Sequence, residues 1–237
     1  MALPKLNNDA PSYSLTIPST KKTINYRPFL VKEQRNLLIA LESKDPKQIL
    51  NAVLVCIESC SPGIDSSKLS TFDVDYIFVQ MRSKSVGETT KILSACTECS
   101  HEHTIDINLD NINTDYGDID NVIPITPDIS IKMKYPTYAD LMKNDSMFNE
   151  DQRATEILFE TITSCIESVQ TQDDNISLKD ESKAEVETFI NSLTNEQLEK
   201  LSIFVDSMPS LEHTIDYTCK SCGHNNSLTL KGIQDFF

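Results

Sequence analysis

Two Cys-x-x-Cys pairs are the residues of this chain whose types and spacing most directly indicate chemistry. More than a hundred residues separate the pairs, and strand-like runs flank each of them. A pair at the tip of a hairpin presents two thiolates on one side of a tight turn, and two such tips can supply all ligands of a tetrahedral zinc site. Such a site has no open position for substrate, so its zinc would be structural. The predicted Zn²⁺ ligands are Cys96, Cys99, Cys219 and Cys222.

Other uses of these thiols stay open from the sequence alone. A thioredoxin-like redox pair would lie at the N-terminus of a helix, whereas strand signals flank both pairs here. Thiols without metal, or thiols that are reversibly oxidised, are a further alternative. His101 and His224 lie two residues past the second cysteine of each pair. Each could replace a cysteine as ligand or contact a sulfur, although a surface position beside the turn is the more ordinary expectation.

The other cysteines and the histidines do not indicate a catalytic site. Cys56, Cys60 and Cys165 fall in apolar helical segments, where a free cysteine is usually a small buried hydrophobic residue. Cys56 and Cys60 are one helical turn apart, so a shared metal is the alternative. The chain has no G-x-S-x-G, H-E-x-x-H or glycine-rich phosphate-binding motif, and its four histidines all lie near the predicted zinc strands. We therefore expect a protein that is not an enzyme.

Hydrophobic periodicity predicts an α+β fold in which hairpins and helices occur in the same order twice. In the first half, alternation predicts a hairpin over 13–26, and apolar spacing predicts helices over 30–43, after Pro46 and from about Thr71. The first cysteine pair follows between two strands. The second half predicts a strand over 129–133, a helix from about Glu150 to Val169, a helix around Ile203-Phe204-Val205, and strands on both sides of the second cysteine pair.

Matched landmarks in the two halves indicate a tandem duplication. The order is collinear, and the offset rises at one place, which marks an acidic insertion at about 171–187 that we expect to be a solvated loop. The alternative is two unrelated halves with similar helix patterns. The landmarks are Pro28 and Pro136 at an offset of 108, Cys56 and Cys165 at 109, Ile77 and Ile203 at 126, and Cys96 and Cys219 at 123.

The expected domain organisation follows from the proposed duplication. Residues 1–12 form a flexible N-terminus, 13–113 a first module with the first zinc knuckle, and 114–237 a second module with the second knuckle. Each module is an α+β unit of β-hairpin, helices and a Cys-x-x-Cys hairpin. A zinc-ribbon-like site of four cysteines joins the two modules.

The charge distribution disfavours nucleic acid as a partner. The net charge is −15, and residues 114–237 carry 9 Lys+Arg against 23 Asp+Glu, whereas residues 1–113 are nearly balanced. Phosphate backbones repel such a surface. The sequence shows no run long enough for a transmembrane helix and no apolar segment of a secretory signal. We therefore expect a reducing cytosol, where cysteine pairs favour metal over disulfides.

Two segments resemble a known family. They are Tyr26–Gln34 (YRPFLVKEQ) and the segment from Phe72 through Glu88, which contains FDVDYIFV and RSKSVGE. In these segments the chain resembles T4-like bacteriophage baseplate proteins, the small hub subunits and hub-assembly proteins of contractile-tailed phages. The resemblance implies a role in building the central hub of the tail baseplate, with other baseplate hub proteins as partners. It also implies a location in the host cytoplasm during assembly or in the virion tail.

Three classes of function are compatible with these observations. The first is a non-enzymatic structural or assembly protein that acts through protein–protein contacts on a zinc-stapled scaffold. The second is a zinc-ribbon regulator that binds nucleic acid or the transcription machinery, and the third is a thiol oxidoreductase. The charges near the knuckles disfavour the second class, because acids outnumber bases there: Lys91, Lys220 and Lys231 stand against Glu98, Glu102, Asp106, Glu212 and Asp216.

Overall fold

The computed structural model describes residues 11–109, 112, 120–143 and 154–236. The first part of the chain forms β1 (Tyr13–Thr16), β2 (Thr23–Tyr26), α1 (Val31–Ser43), α2 (Pro46–Cys60), α3 (Thr71–Val86), β3 (Thr89–Ala95) and β4 (Glu102–Asn108). The second part forms β5 (Val122–Pro124), β6 (Ser130–Met133), α4 (Tyr138–Lys143), α5 (Ala154–Cys165), β7 (Ile166–Gln170), β8 (Asn175–Ser177), α6 (Lys183–Asn191), α7 (Asn195–Asp206), β9 (Glu212–Thr218) and β10 (Asn225–Lys231). Within the described ranges, each helix is too short or too polar to cross a membrane. The mixture of helices and small antiparallel sheets is the α+β class that the periodicity predicts.

The chain folds into two compact units that divide it differently from the expected modules. Unit 1 contains Met1–Ser66, Phe72–Thr114 and Ser210–Phe237, and unit 2 contains Ser67–Thr71 and Asp115–Pro209. The last 28 residues, with the second cysteine pair, therefore belong to the same unit as the first pair. In terms of chain order, most of unit 2 is an insertion between the two cysteine hairpins of unit 1.

Helix α3 is the central element of unit 1. Its residues Phe72, Val74, Ile77 and Phe78 are all buried, so the helix is covered by protein on most of its sides. Asp73 is buried in the same helix. The backbone amide of Ser19 donates to its Oδ1 at 2.9 Å, and the hydroxyl of Ser19 donates to its Oδ2. This pair connects the turn of the β1–β2 hairpin to the first turn of α3.

A buried charged group organises the start of α1. Glu33 accepts hydrogen bonds from Arg27 Nη2 at 2.9 Å and from the Leu30 amide at 2.8 Å, so it satisfies one of the free amides at the start of the helix. Arg27 also donates to the carbonyl of Ser59 near the end of α2 at 3.1 Å. The Phe29 amide donates to Ser85 Oγ at 2.9 Å. The two sequence segments that carry the family resemblance therefore meet in the core of unit 1.

Unit 2 has a four-stranded antiparallel sheet with the order β5-β6-β7-β8. The segment before α3 belongs to this unit because Ser70 forms a β-bridge with Thr137, and the Thr71 amide donates to the Pro136 carbonyl at 3.3 Å. Residues of the sheet, α5, α6 and α7 share one apolar core. Its buried members are Ile125, Ile131, Met133, Ile162, Cys165, Ile166, Val169, Ile190, Leu201 and Phe204.

The prediction of a helix to Val169 is wrong at its C-terminal end. Helix α5 ends at Cys165, and Ile166–Gln170 is strand β7, which pairs with β6 and β8. The predicted start near Glu150 lies outside the described residues. The predicted loop over 171–187 is also wrong, since it contains β8 and the first residues of α6. Pairing with β6 decides this region because a short apolar run is compatible with both helix and strand.

We predict that Glu33→Gln destabilises the chain in a pH-dependent way. Burial raises the pKa of Glu33, but hydrogen bonds from Arg27 and the Leu30 amide outweigh it and hold the pKa below its ordinary value. The stabilisation is therefore complete above the unfolded-state pKa of about 4.3 and is lost as the pH falls through the lower folded-state value. At pH 7 the variant should lose about 1–3 kcal/mol in urea denaturation.

The matched control is Glu42→Gln, which changes an exposed glutamate on the same helix. It should leave the free energy of unfolding within about 0.5 kcal/mol of the unmodified chain. The difference between Glu33→Gln and the unmodified chain should shrink below about pH 4. An equal difference at pH 7 and pH 3.5 would contradict the assigned role of Glu33.

Candidate metal centre

The two cysteine pairs lie at the tips of two hairpins with the same local structure. Strands β3 and β4 pair from Thr89↔Asn108 to Ala95↔Glu102, and β9 and β10 pair over an equal length from Glu212↔Lys231 to Thr218↔Asn225. At each tip the amide of the first cysteine donates across the turn, and its carbonyl accepts a second bond. These bonds are Cys96 N to His101 O at 2.9 Å, Ser100 N to Cys96 O at 2.9 Å, Cys219 N to His224 O at 2.7 Å and Gly223 N to Cys219 O at 2.9 Å.

Both turns require the left-handed backbone conformation just after the second cysteine. Gly223 has a φ of 77° and Ser100 a φ of 56°. Glycine adopts this region at no steric cost, whereas serine brings its Cβ close to backbone atoms. A Cβ placed on Gly223 would meet nothing within 4 Å, so the difference between the turns is a matter of backbone preference alone.

The hairpins bring four sulfur atoms together. All four lie within 4.8 Å of one another, and two distances that join the hairpins are 3.7 Å between Cys96 and Cys222 and 3.6 Å between Cys99 and Cys219. Four sulfurs bound to Zn²⁺ at about 2.3 Å stand about 3.8 Å apart in a tetrahedron. All seven cysteines are free thiols. The sulfur set therefore fits a tetrahedral metal ion, and the sequence-predicted residues are the ones brought together.

The four thiols differ in burial, and Cys96 and Cys222 differ in proton affinity. Cys96 and Cys219 are 2% exposed, whereas Cys99 and Cys222 lie at the surface. Hydrogen bonds from the amides of Cys99 and Glu98 lower the pKa of Cys96 to about 6, against the opposing effect of burial. A backbone hydrogen bond from His224 lowers the pKa of Cys222, but contacts with neighbouring thiols outweigh it and raise that pKa to about 12. Cys96 is thus favoured as the metal-binding thiolate form.

Two further side chains contact the sulfurs, and the cysteine motifs do not indicate them. His103 Nε2 lies 3.3 Å from Cys219 Sγ, and Asn226 Nδ2 lies 3.5 Å from Cys96 Sγ. Both residues are buried. They are 123 residues apart in the sequence, which is also the offset between the two cysteine pairs. They were detectable in principle, because each is the second residue of the strand after its knuckle, and strand alternation turns both to the same face.

The histidines singled out from the sequence have a different arrangement. His101 and His224 are exposed, and each accepts the amide hydrogen bond of its knuckle through its backbone oxygen. The ring of His101 packs edge-on against the ring of His103, with 4.9 Å between the ring centroids. In the part of the chain that the structure describes, the four cysteines alone form a cluster of three or more metal-ligand side chains. Cys56, Cys60 and Cys165 are buried in α2 and α5, as predicted.

The two hairpins pack against each other through equivalent positions. Ser94 of β3 and Tyr217 of β9 occupy matching positions, and their hydroxyl groups are 3.0 Å apart. Below the sulfurs, the apolar faces of both hairpins share one core with Val79 of α3. Its matched pairs are Ile92 and Ile215, Ile105 and Leu228, and Ile107 and Leu230.

Comparisons with known proteins cover nearly the whole chain. The family described as T4 bacteriophage base plate protein matches residues 10–237. The chain is similar to "Baseplate hub assembly protein gp26" of Enterobacteria phage T4, with 22% identity over 225 residues, which are 95% of this chain and 97% of that protein. No solved structure matches the chain. The matched region includes both hairpins and both compact units.

We predict opposite effects of exchanging the residues at the two left-handed positions. Gly223→Ser should lower the free energy of unfolding by about 1 kcal/mol, and Ser100→Gly should raise it by up to about 1 kcal/mol, because only glycine adopts this conformation freely. Thermal denaturation in the presence of excess Zn²⁺ measures both. Destabilisation by Ser100→Gly would show that the serine side chain itself contributes to the turn.

Proposed function

Because the chain belongs to the T4 bacteriophage base plate protein family, we propose that it is a non-enzymatic structural or assembly protein of the baseplate hub of a contractile phage tail. It acts through contacts with other hub proteins, in the host cytoplasm during assembly or in the finished tail. The single observation that supports this most strongly is the family match over 228 residues, which includes the cysteine hairpins and both units. No observation favours the nucleic-acid regulator over this role.

We propose that the four cysteines bind one structural Zn²⁺ ion. Four thiolates in a near-tetrahedral set favour Zn²⁺ or an iron–sulfur site, and the spacing of the sulfurs suits a single ion. When bound, the metal supplies a cross-link between two hairpins that are distant in sequence. Such a saturated site is suited to stability and offers no position for a substrate. The ligands would be Cys96, Cys99, Cys219 and Cys222.

The order of elements supports the proposed duplication. A hairpin, two helices, a further helix and a cysteine hairpin occur in each half: β1–β2, α1, α2, α3 and β3–β4 correspond to β5–β6, α4, α5, α7 and β9–β10. The additional elements β7, β8 and α6 fall where the offset between the halves increases. The two cysteine hairpins have matching burial patterns along their strands. In the proposed duplication these two hairpins are equivalent parts of the two copies, and both hairpins belong to unit 1.

The α1–α2 helix pair offers a surface for a hub partner. Leu38 and Ile39 are more than half exposed on α1, and Val31 of α1 and Val55 of α2 are also exposed. A separate groove of about 350 Å³ between the two helices is lined by Val55 and by mainly polar residues. Unit 2 carries 8 Lys+Arg against 20 Asp+Glu, whereas unit 1 carries 13 against 16. Unit 1 has the smaller excess of acidic residues. We therefore assign its exposed apolar residues to the contact with a second baseplate hub protein.

The purified protein should contain about one zinc per chain. Cys219→Ser should release the metal and lower the unfolding midpoint by on the order of 10 °C, because metal binding contributes directly to folding. Elemental analysis and thermal denaturation measure the two effects. Cys56→Ala, which alters a cysteine outside the cluster, should keep its zinc. A metal-free wild-type protein that melts like the zinc-treated one would contradict the structural role of zinc.

The contact surface is tested in host cells infected by a phage that lacks a functional copy of the gene for this chain. A plasmid copy with Leu38→Asp and Ile39→Asp should fold and bind zinc, yet restore infectious particles at least tenfold less well, because both changes place charge in the proposed contact. The control is Gln34→Asp, another exposed position of α1. Hub proteins should copurify with the wild-type chain and be lost with the double variant. Full restoration by the double variant would exclude this surface.

A further inference from the structure

We propose that His103 and Asn226 are a reciprocal pair of positioning residues for the metal centre, each donating a hydrogen bond from its own hairpin to the buried thiolate of the other. The exposed cysteines, Cys99 and Cys222, are then the reactive edge of the site. This inference rests on the proposed binding of zinc.

The exchange of hydrogen bonds is symmetric across the two hairpins. His103 on β4 reaches Cys219, the first cysteine of the second knuckle, and Asn226 on β10 reaches Cys96, the first cysteine of the first knuckle. His103 is 7% exposed and Asn226 is 6% exposed. A histidine and an asparagine share little except an N–H donor at similar reach. Their equal placement indicates that the donor is the property that the site requires.

The direction of each bond follows from its surroundings. The side-chain oxygen of Asn226 accepts from the backbone N of Thr97 at 3.0 Å and from its hydroxyl at 3.1 Å, so the amide nitrogen must face Cys96. A thiolate bound to a metal has no proton to donate. Nε2 of His103 must therefore carry the proton that points to Cys219.

These bonds would stabilise the metal site in two ways. Four thiolates and one Zn²⁺ have a net charge of −2, and N–H donors withdraw electron density from the two sulfurs that water cannot reach. Each bond also crosses between the hairpins, so it holds the knuckles at the separation that a shared ion needs. The aromatic ring of Tyr217 packs against His103, with 5.2 Å between ring centroids, and limits its orientation.

The same arrangement gives the four sulfurs different access to reagents in solvent. Cys96 and Cys219 are buried and accept the cross-hairpin bonds, whereas Cys99 and Cys222 face solvent. An electrophile such as iodoacetamide meets the exposed sulfurs first. In that step the sulfur of Cys99 or Cys222 would form a bond to carbon, iodide would leave with the bonding electrons, and the alkylated sulfur would give up its bond to a zinc ion held by the four cysteines.

Asn226→Asp gives the sharpest test of the donor role. The substitution keeps an oxygen for the two bonds from Thr97. It replaces the nitrogen that faces Cys96, and that also donates to the His224 carbonyl at 3.1 Å, with a second oxygen. Zinc affinity, measured by competition with a chromogenic chelator, should fall 10- to 100-fold. His103→Leu should give a similar loss. His103→Asn should retain affinity within about threefold, because asparagine already serves as donor at the equivalent position on the other hairpin.

The matched control uses the neighbouring exposed His224. His224→Ala should change zinc affinity by less than about threefold, since the backbone oxygen is unaffected. Substitution of Co²⁺ should give the absorption of a four-sulfur site in the wild type, with its sulfur charge-transfer bands shifted in Asn226→Asp. In the zinc-loaded wild type, mass spectrometry after brief iodoacetamide treatment should find label on Cys99 and Cys222 before the other two ligands.

The outcomes separate this inference from the zinc proposal. If the wild type carries no zinc, the zinc proposal fails, and this inference fails with it. If the wild type carries zinc but Asn226→Asp and His103→Leu bind it as tightly, the donor role is overturned while the zinc proposal stands. Labelling of Cys96 or Cys219 before Cys99 and Cys222 would contradict the proposal that the exposed sulfurs react first. Should the single variants not fold, the exchange variant with His103→Asn and Asn226→His keeps both donors and should fold and bind zinc, and its failure to bind would also overturn the donor role.

Discussion

The close approach of four sulfur atoms is the constraint on which the rest of unit 1 depends. The two hairpins that carry them are separated by more than a hundred residues, and most of those residues form unit 2. Joining hairpins so distant in sequence has a large entropic cost, since the closed loop is long. Buried apolar residues of both hairpins offset part of that cost beneath the sulfurs. A metal ion at the tips would act as a cross-link, whose stabilising effect is greatest for long loops.

The matched hairpins show which features of the site are structural requirements. Both use the same turn bonds and the same left-handed position, although one has serine there and the other glycine. Both place a side-chain nitrogen from the following strand against the opposite sulfur, once from histidine and once from asparagine. Where the residue types differ, the conformation or the hydrogen bond is kept. These shared features are the ones that the proposed two-hairpin metal site would use.

The proposed metal centre and the proposed contact surface have separate tasks. A metal ion held by four thiolates would contribute stability and would offer no open position, so contacts with hub proteins would be made elsewhere. The exposed apolar residues of α1 and α2 belong to the same unit as the hairpins. Helix α1 is in turn held by the buried Glu33 and the partly exposed Arg27, which connect its first turn to the end of α2. The metal would therefore stabilise the unit that presents the surface.

Local patterns in the sequence determined most of the elements and the set of metal-ligand candidates. Alternation identified the hairpins, apolar spacing identified α1 to α3, and the two Cys-x-x-Cys pairs identified the sulfurs. Only the tertiary structure decided that Ile166–Gln170 is a strand, that residues 210–237 belong with the first unit, and that His103 and Asn226 face opposite sulfurs. Periodicity is a property of neighbouring residues. Strand partners, unit membership and cross-hairpin hydrogen bonds join residues far apart in the chain, and packing alone brings them together.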